Sequence, residues 1–206
     1  MCYKGRGRFS VMRRIVRVSR RFHIIVALCA ILAAPGHSTA DDSKDGTPDR
    51  FGYSVIWGTV GDPLPNRSFF MVNVFTLMDY ERVWSHPAPD ELRFKVEASL
   101  GGSADQRFRP MLSAGILAFH YLPWMNWKSF KPYAEAGVGL IYSDFRVEGQ
   151  ALNLNFNPQA GLGAEMASGD GGSYFLALRI HHMSNGGLHR DNRGVNSGVV
   201  QFGRYF

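Results

Sequence analysis

The sequence predicts an all-β fold, an eight-stranded antiparallel transmembrane β-barrel, and three observations carry that reading. From Phe51 onward, segments of about ten residues alternate in polarity and are separated by turn residues, with no sustained helical period. Glycines share the charged face of these segments, Gly137 and Gly139 with Glu135, Gly161 and Gly163 with Glu165, as a crowded polar lumen requires. Aromatic residues gather near segment ends (Trp57, Trp84, Tyr121, Trp124, Trp127 and Tyr142), where a membrane barrel carries its interfacial girdles.

The chain begins with a leader. Of its 206 residues and 23 Lys and Arg, eight basic residues and no acidic one fall within residues 1–40. The other 15 basic residues face 17 acidic ones, so residues 41–206 carry a net charge of −2 and the overall +6 is no sign of nucleic-acid binding. A basic stretch, then the short apolar run His23–Ala34, then Pro35-Gly36 and the small residues Ser38-Thr39-Ala40, reads as a signal peptide over residues 1–40, starting at Met1 or Met12. Both cysteines, Cys2 and Cys29, lie inside it, so the exported part has neither disulfide nor thiol chemistry.

Residues 41–206 form the barrel domain, opened by a polar lead-in from Asp41 to Arg50. The expected strands are 51–60, 68–80, 92–100, 111–122, 133–142, 152–166, 173–184 and 197–206. Leu92 to Leu100 alternates most cleanly, apolar at even positions and polar at odd ones, whereas Phe69 to Tyr80 is apolar on both faces and leaves its register open. Gly61-Asp62-Pro63, Pro87-Ala88-Pro89, Gly101-Gly102, Gly169 to Gly172 and Asn192-Arg193-Gly194 are the expected turns. A soluble, lipocalin-like periplasmic barrel that binds lipid is the architectural rival. The glycines beside charges, the girdles and the terminal Tyr205-Phe206, which resembles the signal ending outer-membrane barrels, favour the membrane version. With the N-terminus periplasmic and an even strand count, strand 173–184 runs outward and the 185–196 loop is extracellular.

Candidate chemistry sits on the last two strands. His182 and Ser184 continue the even, lipid-facing parity of Leu176, Leu178 and Ile180 and lie side by side, roughly 7 Å apart at Cα. Polar residues on that face are costly, and function is the usual reason to keep them. Nine residues along a tilted strand from Ser173 is roughly 23 Å, which puts His182 in the outer leaflet, at the level of lipopolysaccharide acyl esters. A metal is not expected, because His181 and His182 face opposite sides of the strand and His189 lies in the loop. Arg93, Lys95, Glu97, Glu135, Glu165 and Arg179 share lumen parity and read as a structural charge network.

The stretch His182-x-Ser184-Asn185-x-Gly187, followed by Asn192-x-Gly194 and a short final strand, resembles the lipid A 3-O-deacylase family over about 28 residues, Arg179 to Phe206. The resemblance implies an eight-stranded outer-membrane barrel that removes the ester-linked 3-hydroxyacyl chain at position 3 of lipid A, with no cofactor. It implies Ser184 as nucleophile, His182 as its general base, and Asn185 with the Gly187 N–H as oxyanion donors. The family carries a Glu fourteen residues after the histidine; this chain has Asn196 there, on the same outward parity, with Asp191 as the nearest carboxylate substitute in the loop. The implied partners are lipopolysaccharide and outer-membrane lipids, not nucleic acid. Two readings of the site stay open, an esterase and a catalytically silent barrel with a structural or interaction role. The oligomeric state stays open between a monomer and a homodimer formed through the lipid-facing surface.

Overall fold

The computed structural model describes residues 48–63, 67–84, 86–104 and 107–206. The expected signal peptide, both cysteines and most of the polar lead-in lie outside them. Eight strands follow in order: β1 Arg50–Asp62, β2 Arg67–Asp79, β3 Leu92–Ala104, β4 Phe108–Tyr121, β5 Phe130–Ser143, β6 Leu154–Ala167, β7 Ser173–Met183 and β8 Val195–Tyr205. Each pairs antiparallel with its chain neighbours, and β1 pairs with β8 to close the barrel. Closure satisfies every strand edge, which a sheet crossing hydrocarbon must do. A single helical turn, α1 (Tyr80–Val83), and a 3₁₀ turn (Pro123–Met125) lie in the β2–β3 and β4–β5 connections.

The outward face is apolar. Phe51, Tyr53, Val55 and Trp57 on β1, Phe70, Val72 and Val74 on β2, and Tyr174, Leu176, Leu178 and Ile180 on β7 are all exposed. A water-soluble barrel turns such residues inward, so the lipocalin-like alternative is excluded and the exposed band is the surface that meets lipid. β2, apolar on both faces, takes the register that buries Phe69, Met71, Asn73, Phe75 and Leu77.

The lumen is filled, and in three layers. Toward the end where β1 begins and β8 finishes, Phe75, Phe119, Tyr133, Phe175 and Tyr205 pack edge-on or stacked, with ring centroids 4.3–5.5 Å apart. Toward the other end, Ile56, Val60, Met71, Met111, Ile141, Met183 and Val199 form a second apolar plug. Between them lies a charged layer. Arg179 donates to Glu135 at 2.5 Å and to Glu97 at 2.8 and 3.1 Å, and Lys95 reaches Glu135 at 3.1 Å. Two cations and two carboxylates balance, and Asn73, Ser99 and Gln159 take up remaining hydrogen bonds. The sequence reading of a polar lumen holds for the middle layer and for clusters such as Arg50, Glu165 and Ser173, but even positions of β1 and odd positions of β4 and β8 add aliphatic and aromatic side chains at both ends.

Two further expectations change. Gly101-Gly102 is not a turn; β3 continues to Ala104 because neighbours cover these glycines. A Cβ at Gly102 would lie 2.7 Å from the Phe108 ring, and one at Gly101 would lie 2.9 Å from Met71 Cγ. Tyr121 belongs to no girdle. It shares the inward parity of Leu117 and Phe119, and its hydroxyl donates to Glu165 at 2.7 Å while accepting from Arg50. The glycine argument holds in detail at Gly161, where a Cβ would lie 2.6 Å from Arg179 Cγ, so the small residue makes room for the buried guanidinium.

Candidate active site

The site forms where β7 ends and β8 begins, at the other end of the barrel from the chain's C-terminus. His182 and Asn196 are direct cross-strand partners, and both point outward, as their parity predicts. The imidazole Nδ1 lies 2.7 Å from Asn196 Oδ1. An amide oxygen only accepts, so Nδ1 carries the proton and Nε2 keeps its lone pair. Gly194 covers the ring: a Cβ there would sit 2.6 Å from His182 Cε1, so no larger residue fits without displacing the imidazole.

The other end of the Asn196 amide is also held. Its Nδ2 donates to Asp62 Oδ2 at 3.2 Å, and Arg193 Nη2 donates to Asp62 Oδ1 at 2.9 Å. Asp62 has the even parity that puts Ile56 and Val60 in the lumen. It escapes because the β1–β8 register shifts between Val60 and Asp62, where an extra residue, Gly61, is accommodated. Such a bulge re-aims the next side chain, here onto the outward face beside Asn196. Sequence reading gave Asp62 only a turn role; the signal was out of reach because a bulge is invisible to strict alternation. Asp191, the carboxylate considered for this place, instead lies 3.8 Å from Arg190, and its N–H donates to His189 Nδ1 at 3.0 Å.

Ser184 follows His182 by two residues, just past the end of β7, and its backbone is pinned to β6. Its N–H donates to Phe156 O at 3.1 Å and its carbonyl accepts from Phe156 N–H at 2.8 Å. Continuous β6–β7 pairing stops at Gln159–His181, and Pro158, which has no N–H, falls in the gap before this bridge. The chain then turns sharply through Gly186 and Gly187, at φ +64° and +84°, where L side chains are strained. Asn185 organises the turn from a fully buried position. It accepts from Gly187 N–H at 2.9 Å, donates to Asp191 O at 3.1 Å, and its own N–H donates to Asn192 Oδ1 at 2.7 Å. The loop is tied to the β5–β6 connection by Arg193 N–H to Gly149 O at 2.8 Å and Ala151 N–H to Asp191 O at 3.1 Å. The two residues expected as oxyanion donors are therefore bonded to each other in the free protein.

A groove of about 600 Å³ opens on the lipid face below His182 and Asn196. One cross-strand row, Ala136, Ala160, Ile180 and Gly198, runs along it. Ala136, Ala160 and Gly198 leave a depression beside Ile180 and between bulkier neighbours such as Val138, Leu162 and Leu178, so an apolar chain can lie against the barrel next to the imidazole. Among the described residues, no group of three or more His, Cys, Asp or Glu side chains could hold a metal ion.

The profile of the lipid A 3-O-deacylase (PagL) family matches residues 44–204, nearly all of the described barrel. The chain belongs to the lipid A 3-O-deacylase family. Among solved structures, it is similar to the outer membrane enzyme PagL at 24% identity and a TM-score of 0.53, covering 74% of this chain and 97% of that one. It is also similar to Neisserial surface protein A at 14% identity and a TM-score of 0.59, covering 79% and 98%. These likenesses establish the eight-stranded outer-membrane barrel fold. No curated protein matches the sequence. Deacylase-family membership and the barrel together make this an outer-membrane protein with lipid A as the family's substrate.

Proposed function

We propose that this protein is a serine esterase that removes the 3-O-linked 3-hydroxyacyl chain from lipid A in the outer leaflet of the outer membrane. The observation that carries the reading is the 2.7 Å bond between His182 Nδ1 and Asn196 Oδ1 on the lipid face, which leaves Nε2 as a base two residues from Ser184. The chemistry follows from these groups. His182 Nε2 takes the Ser184 hydroxyl proton as Oγ attacks the ester carbonyl, and Asn196 Oδ1 steadies the imidazolium by accepting from Nδ1–H. The tetrahedral oxyanion is met by the Gly187 N–H, released from Asn185 Oδ1, and by the Asn185 Nδ2, released from Asp191 O. Collapse breaks the bond to the sugar oxygen, which leaves with the proton from His182. Water then attacks the acyl-Ser184 ester with His182 again as base, freeing the 3-hydroxy fatty acid and restoring the serine. The groove supports a lipid substrate, because Ala136, Ala160, Ile180 and Gly198 line it with apolar surface next to the imidazole. Residues 1–40 act in this reading as the signal peptide for export.

The rival reading, a silent barrel with a structural role, draws on the neutral Asn196 where the family carries a carboxylate. Treating the purified barrel in detergent with a long-chain alkyl fluorophosphonate separates the two. An adduct on Ser184 that lipid A suppresses and His182→Ala abolishes is the esterase result. A folded barrel that takes up no label, or takes it elsewhere, sinks the esterase.

A further inference from the structure

We infer that Asp62 is a positioning residue for the site: its carboxylate fixes the flip of the Asn196 amide, and through it the tautomer of His182. The inference rests on the deacylase reading and explains how that reading survives a neutral residue beside the histidine. An asparagine amide presents oxygen at one end and NH₂ at the other, and the two ends have nearly the same shape. With oxygen toward the imidazole, His182 holds its proton on Nδ1 and keeps the Nε2 lone pair for Ser184. With NH₂ toward it, Nδ1 becomes the acceptor, the proton moves to Nε2, and the base is lost.

Nothing in Asn196 itself decides between these states. Asp62 decides it, because a carboxylate only accepts and so draws the NH₂ end to itself, Nδ2 to Oδ2 at 3.2 Å. Arg193 holds the other carboxylate oxygen at 2.9 Å and keeps the group from turning away. The resulting order is Arg193, Asp62, Asn196, His182, each a donor or acceptor fixed by the one before. The negative charge thus stands one amide away from the histidine. The β1 bulge at Gly61, which turns Asp62 out of lumen parity onto this face, is the backbone feature that delivers it.

The test is Asp62→Ala in two backgrounds, the parent and Asn196→Glu. A glutamate at 196 has no donor end, so it accepts from Nδ1–H in either rotamer and needs no orienting neighbour. In the parent background, Asp62→Ala lowers kcat on lipid A by ~10-fold or more, toward the ~10⁴-fold that a wrong histidine tautomer costs in a serine triad, with KM unchanged. In the Asn196→Glu background the same change leaves kcat equal or raises it, since it removes a like charge. The second readout is the ¹⁵N spectrum of His182 in labelled, detergent-folded protein. The parent shows a single Nδ1–H tautomer and Asp62→Ala a mixture. An equal loss in both backgrounds, no loss in the parent, or an unchanged His182 spectrum overturns the inference. The spectrum needs no turnover, so it decides on Asp62 by itself. The deacylase reading fails separately, when the folded parent and Ser184→Ala leave lipid A equally intact.

Discussion

Replacing Arg179 by methionine tests whether the buried charged layer holds the barrel together. The guanidinium is fully buried and donates to Glu135 at 2.5 Å, to Glu97 at 2.8 and 3.1 Å, and to Gln159 at 3.1 Å. Methionine fills similar length but leaves Lys95 alone with two carboxylates, so a neutral quartet becomes a buried site of charge −1. Removing one partner of a buried ion pair costs about 3–5 kcal/mol, against a typical total stability of about 5–15 kcal/mol. The large cost comes from the stranded carboxylate, and a second change can remove it. Adding Glu97→Gln restores neutrality with Lys95 and Glu135 still paired at 3.1 Å, so the double variant recovers to within about 2 kcal/mol of the parent. Urea unfolding of the barrel in lipid vesicles, followed by tryptophan fluorescence and heat-modifiable migration on gels, measures all three. A single variant within about 1 kcal/mol of the parent refutes the reasoning, and so does a double variant whose loss equals the sum of the two single changes.

Other outcomes follow from the same geometry. Gly194→Ala puts a Cβ 2.6 Å from His182 Cε1, so the ring is displaced from Asn196 and kcat falls ~10-fold to ~100-fold while urea stability holds; parent-like turnover would show that the ring has room to move. In the β6–β7 turn, hydrogen bonds from Ser168, and then from Arg204 of β8, lower the Asp170 carboxyl to about 2. A depressed carboxyl contributes stability above its unfolded value near 4, lost as pH falls through about 2, so the clasp between this turn and β8 persists at pH 4 and opens near pH 2. Carboxyl ¹³C titration of Asp170 measures this directly, and a midpoint near 4 would remove the clasp from the account.

Much of this molecule is written in alternation. The parity that puts Phe94, Val96 and Ala98 on one face and Lys95 and Glu97 on the other also aligns His182 with Asn196, because a closed antiparallel barrel leaves little freedom of register once one face must be apolar. The limits of that reading have physical causes. Glycine reads as a turn signal, yet Gly101 and Gly102 lie within β3, where Met71 and Phe108 from neighbouring strands occupy the space their side chains would fill. Tyr121 reads as an interfacial aromatic, yet its strand position turns it inward to share Glu165 with Arg50. Asp62 was legible only as part of a turn. It lies 134 residues from Asn196, and it reaches that amide through two features that local sequence does not announce, the closure of β1 on β8 and the bulge at Gly61.

The filled lumen gives the surface site its rigidity. Side chains packed from one end of the barrel to the other hold β7 and β8 in one register, and that register alone sets the distance between His182 and Asn196. Within that register, Asp62, Arg193 and Gly194 supply the contacts that orient the two side chains.

Mass spectrometry of lipid A from cells expressing the parent chain or its Ser184→Ala variant tests the central claim most directly. The account predicts loss of one 3-hydroxyacyl chain with the parent and intact lipid A with the variant, both barrels being folded in the outer membrane. Intact lipid A with both, or the same loss with both, would contradict it.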